Sequence, residues 1–320
     1  MANSKTKPVE SLDGGEFDAA LPKGIYTLQP NLYHGYLTYT KKGVTGRGTK
    51  PKEGKCQWTI SKSVTGKQTI RTLVRNATNP YLKIENNALQ TAPNKLSPPS
   101  SYDFRALNVR SDETDSGSLV REEEPKMMKF QSDPNQSHYI GVDESGFVVP
   151  PAIAGSNPKY ARFTTTKVVG FSSPSKDLDQ EIVQIVSTGT DKAISIESKE
   201  HVFLSTKDKE TSHLKAMSSV HGNVRTYTFQ GVKYSSLHLR IRDGKMIAHK
   251  KPTSFAILKA TVPGEETEND VYVLYSPAHH EFVSVKEDGH LELDPNPLPP
   301  SGSSKPLTNG PAFFHIFLTK

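Results

Sequence analysis

The stretch Tyr81-Leu-Lys-Ile84, followed closely by Asn86-Asn-Ala-Leu89, contains the pattern on which the whole chain is built. The second and fourth residues of the tetrapeptide are branched apolar groups, and they point to one face because side chains alternate along a β-strand. The Asn-Asn pair accepts positive φ and suits a tight hairpin turn. The stretch therefore predicts two short antiparallel strands joined by a turn.

The tetrapeptide pattern recurs along the 320 residues, with steps of 45, 58, 54, 45 and 44 residues between successive first positions. Self-similarity at such a period is the signature of a repeat architecture. The chain is therefore predicted to contain six copies of one unit. The other five copies are Tyr36-Leu-Thr-Tyr39, Tyr139-Ile-Gly-Val142, Ala193-Ile-Ser-Ile196, His238-Leu-Arg-Ile241 and Phe282-Val-Ser-Val285.

Each copy also has the same neighbours, so that four strands per unit are predicted. Only the first copy, with its Gly-rich segment at 43 to 48, lacks a clean third strand. An alternating apolar run precedes every copy: Ile25 to Leu28, Ile70 to Val74, Met127 to Phe130, Ile182 to Val186, Val224 to Phe229 and Val271 to Tyr275. An aromatic or large residue with an alternating tail closes every unit: Trp58 to Ile60, Phe104 to Ala106, Phe163 to Thr165, Leu214 to Ala216, Phe255 to Ile257 and Phe314 to Ile316.

A four-stranded unit of about 45 residues fits either a propeller blade or a lobe of a β-trefoil. Six blades are permitted, but no Trp-Asp or Gly-Gly blade signature is present. The polar stretch 169–180 instead divides the copies three and three. Three four-stranded units in each half resemble the β-trefoil family, over about residues 22–168 and 181–320.

We therefore predict an all-β fold made of two tandem β-trefoil domains, with six four-stranded repeats and pseudo-threefold symmetry in each half. The predicted organisation is a disordered or extended N-terminal segment at 1–20, a first β-trefoil at 21–168, a linker at 169–180 and a second β-trefoil at 181–320.

Within the β-trefoil class, the repeats resemble fascin-like lobes and the cytosolic β-trefoil lectins and protease inhibitors of fungi. The strand pattern carries this resemblance, together with the opening Leu21-Pro-Lys-Gly-Ile-Tyr26. Ricin-type lectin lobes differ, because they carry Gln-x-Trp near the last strand, whereas the only tryptophan here, Trp58, follows Cys56-Gln57. The resemblance implies a fold, and a fold by itself does not specify an activity.

Composition excludes several classes of protein. The 40 Lys and Arg are offset by 34 Asp and Glu, for a net charge of +6 without long blocks of like charge, so that no nucleic-acid-binding surface is predicted. No apolar run has the length of a signal peptide or of a membrane helix. Cys56 is the only cysteine, so no intramolecular disulfide can form. We expect a cytoplasmic protein without a membrane span.

Two motifs resemble cofactor or metal sites and are better explained otherwise. The segment 43–50 is Gly-rich, but Thr49 precedes Lys50 and Pro51 follows it, which is the wrong order for a phosphate-binding loop. His279 and His280 are adjacent, so their side chains diverge and one metal ion is hard to reach with both. We predict no cofactor and no metal.

Two further motifs resemble nucleophile sites. Ser145 lies in a segment that falls on the same hairpin turn as in the other copies, and turn chemistry explains the segment. Cys56 alternates to the same side as Trp58, which is typical of a buried structural thiol. We therefore predict no catalytic residue, and the protein is expected not to be an enzyme.

Carbohydrate binding is the function that we predict. Sugars are recognised by aromatic faces and by Asp, Asn or His side chains, and the loops between first and second strands supply such mixtures repeatedly. Repeated weak sites gain from multivalency, which suits a duplicated architecture. The predicted ligand-binding residues are Asn31, Tyr33, His34, Tyr36, Asn76, Asn79, Asn135, His138, His279 and His280.

The alternative is a protein-binding module, either a fascin-like actin-bundling protein or a loop-inserting protease inhibitor. The Pro-rich loops Thr91 to Ser101 and Asp294 to Pro311 suit an inhibitor. Fascin-like proteins usually have four lobes and this chain has two, which weakens the actin-bundling alternative. The regular third to sixth copies argue against a third class, a pore-forming toxin. The expected partner is a glycan or glycoprotein, with actin or a protease as the alternative; self-association into homo-oligomers stays open.

Overall fold

The structure, a computed structural model, describes residues 17–18, 23–62, 67–74, 77–93, 100–109, 125–174, 176–221, 224–299 and 306–319. Across these ranges the chain forms 23 β-strands, all paired antiparallel, and one short α-helix. The predicted all-β class is confirmed. No helix in these ranges is long and apolar enough to cross a membrane.

Six strands of the first half close into a ring. β2 pairs with β5, and the ring continues through β6, β9, β10 and β11 before β11 returns to β2. These are the strands that precede or close each predicted unit. The elements of this half are β1 (Phe17–Asp18), β2 (Gly24–Pro30), β3 (Tyr36–Thr40), β4 (Gly43–Gly48), β5 (Gln57–Lys62), β6 (Gln68–Thr72), β7 (Tyr81–Glu85), β8 (Ala88–Ala92), β9 (Phe104–Asn108), β10 (Lys126–Ser132), α1 (Pro151–Ser156) and β11 (Phe163–Ser172).

The second half contains a matching ring. β12 pairs with β15, β15 with β16, β19 with β20, β20 with β23, and β23 with β12. An isolated bridge between Tyr227 and Phe255 joins β16 to the start of β19. The strands of this half are β12 (Ile182–Ser187), β13 (Ala193–Ser198), β14 (His201–Ser205), β15 (Leu214–His221), β16 (Val224–Gly231), β17 (His238–Arg242), β18 (Lys245–His249), β19 (Ala256–Thr261), β20 (Val271–Ser276), β21 (Glu281–Val285), β22 (Leu291–Asp294) and β23 (Phe314–Leu318).

Five hairpins come from the remaining strands. The pairs β7–β8, β13–β14, β17–β18 and β21–β22 were predicted, and β3–β4 forms in the repeat where no clean third strand was expected. The short strand β1 pairs with β9. Asn86 and Asn87 have φ of 52° and 54°, as the turn of the opening stretch requires. The Asp243-Gly244 pair turns in the same way, with φ of 53° and 76°. Local turn chemistry thus places each hairpin between two ring strands.

Two repeats depart from the sequence pattern. The first repeat has the third strand that its Gly-rich segment concealed, because a Cβ on Gly48 would lie 1.9 Å from Thr38 Oγ1, and only glycine permits that approach. The third repeat has only a single bridge, between Val142 and Val148, where a strand pair was expected. The chain then enters α1 at Pro151, a residue well suited to the first turn of a helix.

Neighbouring hairpins are joined by one recurring backbone hydrogen bond. In the first half, Gly46 N–H donates to Gly146 O at 3.0 Å. In the second half, Leu204 N–H donates to Gly289 O at 3.3 Å, and Leu293 N–H donates to Gly244 O at 2.7 Å. The same donor position therefore contacts the same turn position in both halves.

Each ring is filled by its own apolar core. Trp58, fully buried in the first core, donates its indole N–H to Leu37 O at 2.8 Å, so its one polar atom is satisfied. Cys56 is also buried, with Sγ 3.2 Å from Thr38 Oγ1, in agreement with a structural thiol. The second core is centred on the rings of Phe229, Phe255 and Phe314.

A third apolar core lies between the halves. It contains Ile25 and Leu73 from the first half and Val273, Phe282 and Phe313 from the second. The two halves therefore share buried surface in addition to their own cores.

The predicted linker at 169–180 begins later than expected. Strand β11 continues to Ser172 and pairs there with β19, with Phe171 opposite Ala260. Val169 and Phe171 are buried in the shared core, which keeps this stretch in the sheet. The polar residues after 172 suggested a linker for the whole stretch, whereas the apolar side chains of Val169 and Phe171 at its beginning hold residues 169–172 in the sheet.

We expect Phe313→Ala to lower the free energy of unfolding by about 3–5 kcal/mol, because a fully buried ring is removed from the shared core. Trp58 lies in the other half and is the only tryptophan, so its fluorescence reports on the first ring. In urea unfolding, Trp58 fluorescence and far-UV circular dichroism should move together to one lower midpoint.

The matched control is Phe317→Ala, at a ring that is 37% exposed, which should change stability by less than about 1 kcal/mol. A Trp58 transition that keeps its midpoint while the dichroism becomes biphasic would show that the halves do not unfold together.

Candidate functional site

Four of the predicted ligand-binding residues lie in one stretch, on a loop and at the start of the strand that follows it. The loop connects β2 to β3 and contains Asn31, Tyr33 and His34, and Tyr36 begins β3. Asn31 N–H donates to Arg162 O at 2.9 Å, which ties the loop to the end of the third repeat. Asn31 and His34 are exposed, and Tyr33 and Tyr36 are half-buried.

The Tyr33 ring packs against two glycines. A Cβ on Gly35 would lie 2.7 Å from Tyr33 Cε1, and a Cβ on Gly146 would lie 2.9 Å from the same atom. Both distances are shorter than real Cβ contacts, so only glycine fits beneath the ring. Gly146 belongs to the third repeat, and the Tyr33 ring therefore bridges two repeats.

Arg47 and Phe147 complete this surface, and neither was predicted. The Arg47 guanidinium lies over the Phe147 ring, 4.3 Å from its centroid, and Arg47 Nε–H donates to Ser145 O at 3.0 Å. A Cβ on Gly146 would lie 2.7 Å from Arg47 Cγ and 3.0 Å from Tyr33 Cζ, so these two side chains meet above the same glycine. We call this group the Tyr33–Arg47–Phe147 surface.

The turn that carries Phe147 is held by Asp143. Its carboxylate accepts hydrogen bonds from the N–H groups of Ser145 and Phe147, both at 2.9 Å. Such a side-chain-to-backbone turn fixes the loop without secondary structure. The Asp143 carboxylate is thereby directed at the turn, and the Phe147 ring stays 53% exposed.

The surface offers unpaired donors beside apolar ring faces. No ion pair to Arg47, and no hydrogen bond to the Tyr33 hydroxyl, occurs among the residues that the structure describes. A guanidinium has five N–H donors, so four remain on Arg47 after its bond to Ser145. The signal that could have revealed Arg47 and Phe147 is their position in matching hairpins, one residue after a glycine in each case.

The second half repeats the contact with different side chains. Phe203, on the hairpin β13–β14, lies 4.5 Å from the His290 ring, which follows Gly289 in its turn as Phe147 follows Gly146. The His201 ring stacks on Phe203 at 6.1 Å. Asp288 accepts the N–H of His290 at 3.0 Å, as Asp143 does for Phe147. We call this group the His201–Phe203–His290 surface.

Three further predicted residues lie in other loops. Asn135 accepts hydrogen bonds from the N–H and hydroxyl of Ser137, at 3.2 and 2.7 Å, and so stabilises its own turn. His138 and Asn79 are half-buried. No hydrogen bond or ring contact joins these side chains to Tyr33 within the described ranges. Asn76 lies outside the described residues.

His279 and His280 lie at the junction of the halves. His279 Nδ1 is 2.8 Å from Ser276 Oγ, and His280 Nδ1 is 3.0 Å from Tyr275 Oη. The His280 carbonyl accepts a hydrogen bond from the Arg71 guanidinium of the first half. No cluster of three His, Cys, Asp or Glu side chains occurs in the part of the chain that the structure describes.

The pKa of His280 is lowered to about 4. Burial is the largest cause, followed by the positive charges of Arg71, Lys23 and His279. His280 is therefore neutral across physiological pH, which suits a side chain packed between two halves.

No family model matches the sequence, and no curated protein matches it. A solved structure of a mosquitocidal holotoxin matches with 11% identity and a TM-score of 0.39, over 93% of this chain and 34% of that chain. The chain thus spans about a third of the length of that toxin chain.

We expect Gly146→Ala to destabilise the protein more than Gly244→Ala. Both glycines have positive φ, 81° and 76°, so each substitution carries the left-handed backbone penalty of about 1–2 kcal/mol. Only the Cβ at position 146 collides with Tyr33 and Arg47, because position 244 is open. Urea unfolding of the two variants measures the difference, and equal losses would mean that the Tyr33 ring does not rest on Gly146.

We expect stability to fall as pH falls from about 6.5 to about 4. In this window the unfolded chain binds a proton on His280 that the folded chain does not, so unfolding becomes more favourable as protons are added. His280→Asn should reduce this slope, since Asn tolerates the φ of 57° at this position. Urea midpoints across pH give the slope. The exposed His34→Asn is the control, and an unchanged slope in His280→Asn would contradict the assignment.

Proposed function

We propose that the chain is a non-enzymatic carbohydrate-binding protein made of two β-trefoils, with a glycan site at the Tyr33–Arg47–Phe147 surface. The proposal of β-trefoils is supported by the strand pairing. In each half, three repeats supply the two strands per repeat that form a six-stranded ring, and hairpins from the same repeats lie beside it. The reduced third hairpin is the one departure in the first half.

The observation that carries the glycan proposal is the exposed Phe147 ring beside the unpaired donors of Arg47 and Tyr33. Phe147 comes from the third repeat and the other two from the first, so the grouping depends on the folded contact between repeats. A ring that is 53% exposed contributes little to a core. Aromatic faces cover the C–H patches of sugars, and adjacent donors bond their hydroxyls.

Arg47 adds a preference for acidic sugars. Its guanidinium is fixed by the Phe147 ring and the Ser145 carbonyl, with its two terminal nitrogens left to bind. A planar guanidinium fork matches the two oxygens of a carboxylate. Sugars that carry a carboxylate, such as sialic and uronic acids, therefore suit this surface better than neutral sugars do.

The His201–Phe203–His290 surface is a second, weaker candidate for the same ligand class. It occupies the corresponding place in the second half, because the hydrogen bond from Leu204 N–H to Gly289 O is equivalent to the one from Gly46 N–H to Gly146 O. Two sites on one chain would give the multivalency predicted from the duplicated repeats.

Binding without catalysis is proposed because no hydrogen-bonded pair of acid and base occurs at the Tyr33–Arg47–Phe147 surface among the described residues. Of the two carboxylates in the turn, that of Asp143 accepts two backbone N–H groups, and Glu144 is exposed. No serine hydroxyl at this surface is hydrogen-bonded to a histidine among the described residues.

The test is a glycan array with the full chain, followed by titration calorimetry with the strongest glycan. Phe147→Ala should weaken binding by roughly two- to tenfold, in line with a stacking contribution of about 0.5–1.5 kcal/mol. Arg47→Gln should remove the advantage of an acidic glycan over its neutral parent. Phe317→Ala, the same substitution at an exposed ring elsewhere, should bind as the unmodified protein does.

A silent array together with co-sedimentation on actin filaments would overturn the glycan proposal in favour of the actin-binding alternative. Equal losses in Phe147→Ala and Phe317→Ala would show that the site is misplaced even if glycans bind.

A further inference from the structure

The hairpin β17–β18 concentrates positive charge that its neighbours lack. Between 238 and 251, five Lys and Arg stand against one Asp, a net charge of +4 in a chain whose net charge is +6. In the other two hairpins of the second half, β13–β14 and β21–β22, Asp and Glu outnumber Lys and Arg. The positive charge is therefore a property of this one hairpin and not of the repeat.

Strand alternation brings the basic side chains of the hairpin to its outward face. Four apolar side chains point into the second core, namely Leu239, Ile241, Met246 and Ala248. The side chains between them face outward, and five of these six are basic: His238, Arg240, Arg242, Lys245 and His249. Like charges that lie opposite each other destabilise a sheet, so the stability of the hairpin does not account for this face.

The charges at the turn end of the hairpin are compensated. The Arg242 guanidinium donates two hydrogen bonds to the Glu200 carboxylate, at 3.2 and 3.1 Å. Lys245 lies opposite Glu292 of β22 in the sheet. The surplus of positive charge is therefore at the other end, where β18 finishes.

At that other end, three cations are held together without a carboxylate. Arg240 Nη1 lies 3.3 Å from His249 Nδ1, and Lys251 N–H donates to the same nitrogen at 3.0 Å. Thr253 ties the stretch back to β17 through two hydrogen bonds, of 3.1 and 3.0 Å. Lys250 and Lys251 are exposed, and neither they nor Arg240 form an ion pair within the described ranges. We call Arg240, His249, Lys250 and Lys251 the Arg240–Lys251 surface.

Three kinds of anionic partner need more than positive charge. Single-stranded nucleic acids stack their bases on aromatic rings, membranes take up apolar side chains, and protein interfaces have an apolar or aromatic centre. Between 238 and 251, all of which the structure describes, no Phe, Tyr or Trp occurs and no large apolar side chain is exposed. A sulfated polysaccharide needs cations and hydrogen-bond donors, and these are what the surface offers.

We propose that the Arg240–Lys251 surface binds a sulfated polysaccharide. Arg240 keeps donors after its contact with His249, and a guanidinium matches the oxygens of an oxyanion. The ammonium groups of Lys250 and Lys251 bind neighbouring sulfates along the polymer. This inference goes beyond the glycan site at the Tyr33–Arg47–Phe147 surface, because it uses a different place in the fold and recognises the sulfate groups of the ligand.

The test measures, by titration calorimetry with the full chain, the affinity for a heparin octasaccharide and for the same octasaccharide without its sulfates. Heparin should bind, and its binding should weaken steeply with added NaCl, because each contact releases a counterion from the polymer. The desulfated octasaccharide should bind at least roughly tenfold more weakly. Equal affinities for the two would overturn the proposal, and so would tighter binding of an oligothymidine of the same charge.

Two matched double variants test the place of binding. Lys250→Gln with Lys251→Gln should weaken heparin binding roughly tenfold. Lys41→Gln with Lys42→Gln makes the same charge change at adjacent exposed lysines in the β3–β4 turn of the other half. It should change the affinity less than about twofold, because charges farther than about 8 Å are screened at physiological salt. Equal losses in the two variants would contradict the site.

Arg47→Gln separates this proposal from the glycan site. It should change heparin affinity less than about twofold, since Arg47 lies outside the Arg240–Lys251 surface. Loss of heparin binding in Arg47→Gln, with binding retained in the Lys250 and Lys251 variant, would overturn the proposal. Heparin binding that depends on Lys250 and Lys251, with an array silent for unsulfated glycans, would support it and reject the Tyr33–Arg47–Phe147 site alone.

Discussion

Strand β11 joins the two rings of strands into one sheet, and the arrangement of the whole molecule depends on it. Its first part pairs with β2 and closes the first ring, and its end pairs with β19 of the second ring. The register against β2 shifts at a bulge between Lys167 and Val169, and pairing with β2 continues to Gly170, which also pairs with Thr261 of β19. The buried side chains of Val169 and Phe171 then anchor the shared core. Within the described residues, this strand supplies the strand pairing between the two halves.

The sequence predicted the ring strands well and only some of the other elements of each repeat. Every ring strand lies where an alternating apolar run was found, because burial on one face imposes a period of two on the residues themselves. The two errors within the repeats have a different cause. Gly43–Gly48 forms a strand because its glycines permit close approach, and the third hairpin is reduced to one bridge before α1. Neither feature leaves a periodic apolar signal.

The residues of the candidate surface could be named from the sequence only in part, for a related reason. Tyr33 was named because it lies on a loop of suitable composition. Arg47 and Phe147 were missed because their importance arises from a contact between repeats about a hundred residues apart in the chain. His280 differs from its sequence environment in another way, since this polar loop residue is packed between the halves and its pKa is lowered. Contacts between repeats decide both cases, and no local window contains them.

The contact between the two halves also fixes the distance between the two candidate surfaces. The Tyr33–Arg47–Phe147 and His201–Phe203–His290 surfaces occupy matching places on two rings that are joined by sheet hydrogen bonds and a common apolar core. Their separation is therefore a property of the fold, unlike the adjustable reach of modules on a flexible tether. A partner that engages both surfaces at once must present its binding groups at that one spacing. If both surfaces bind, the chain would select partners by the spacing of their binding groups as well as by their chemistry. It would then bind a surface with closely spaced groups differently from one that carries the same groups far apart.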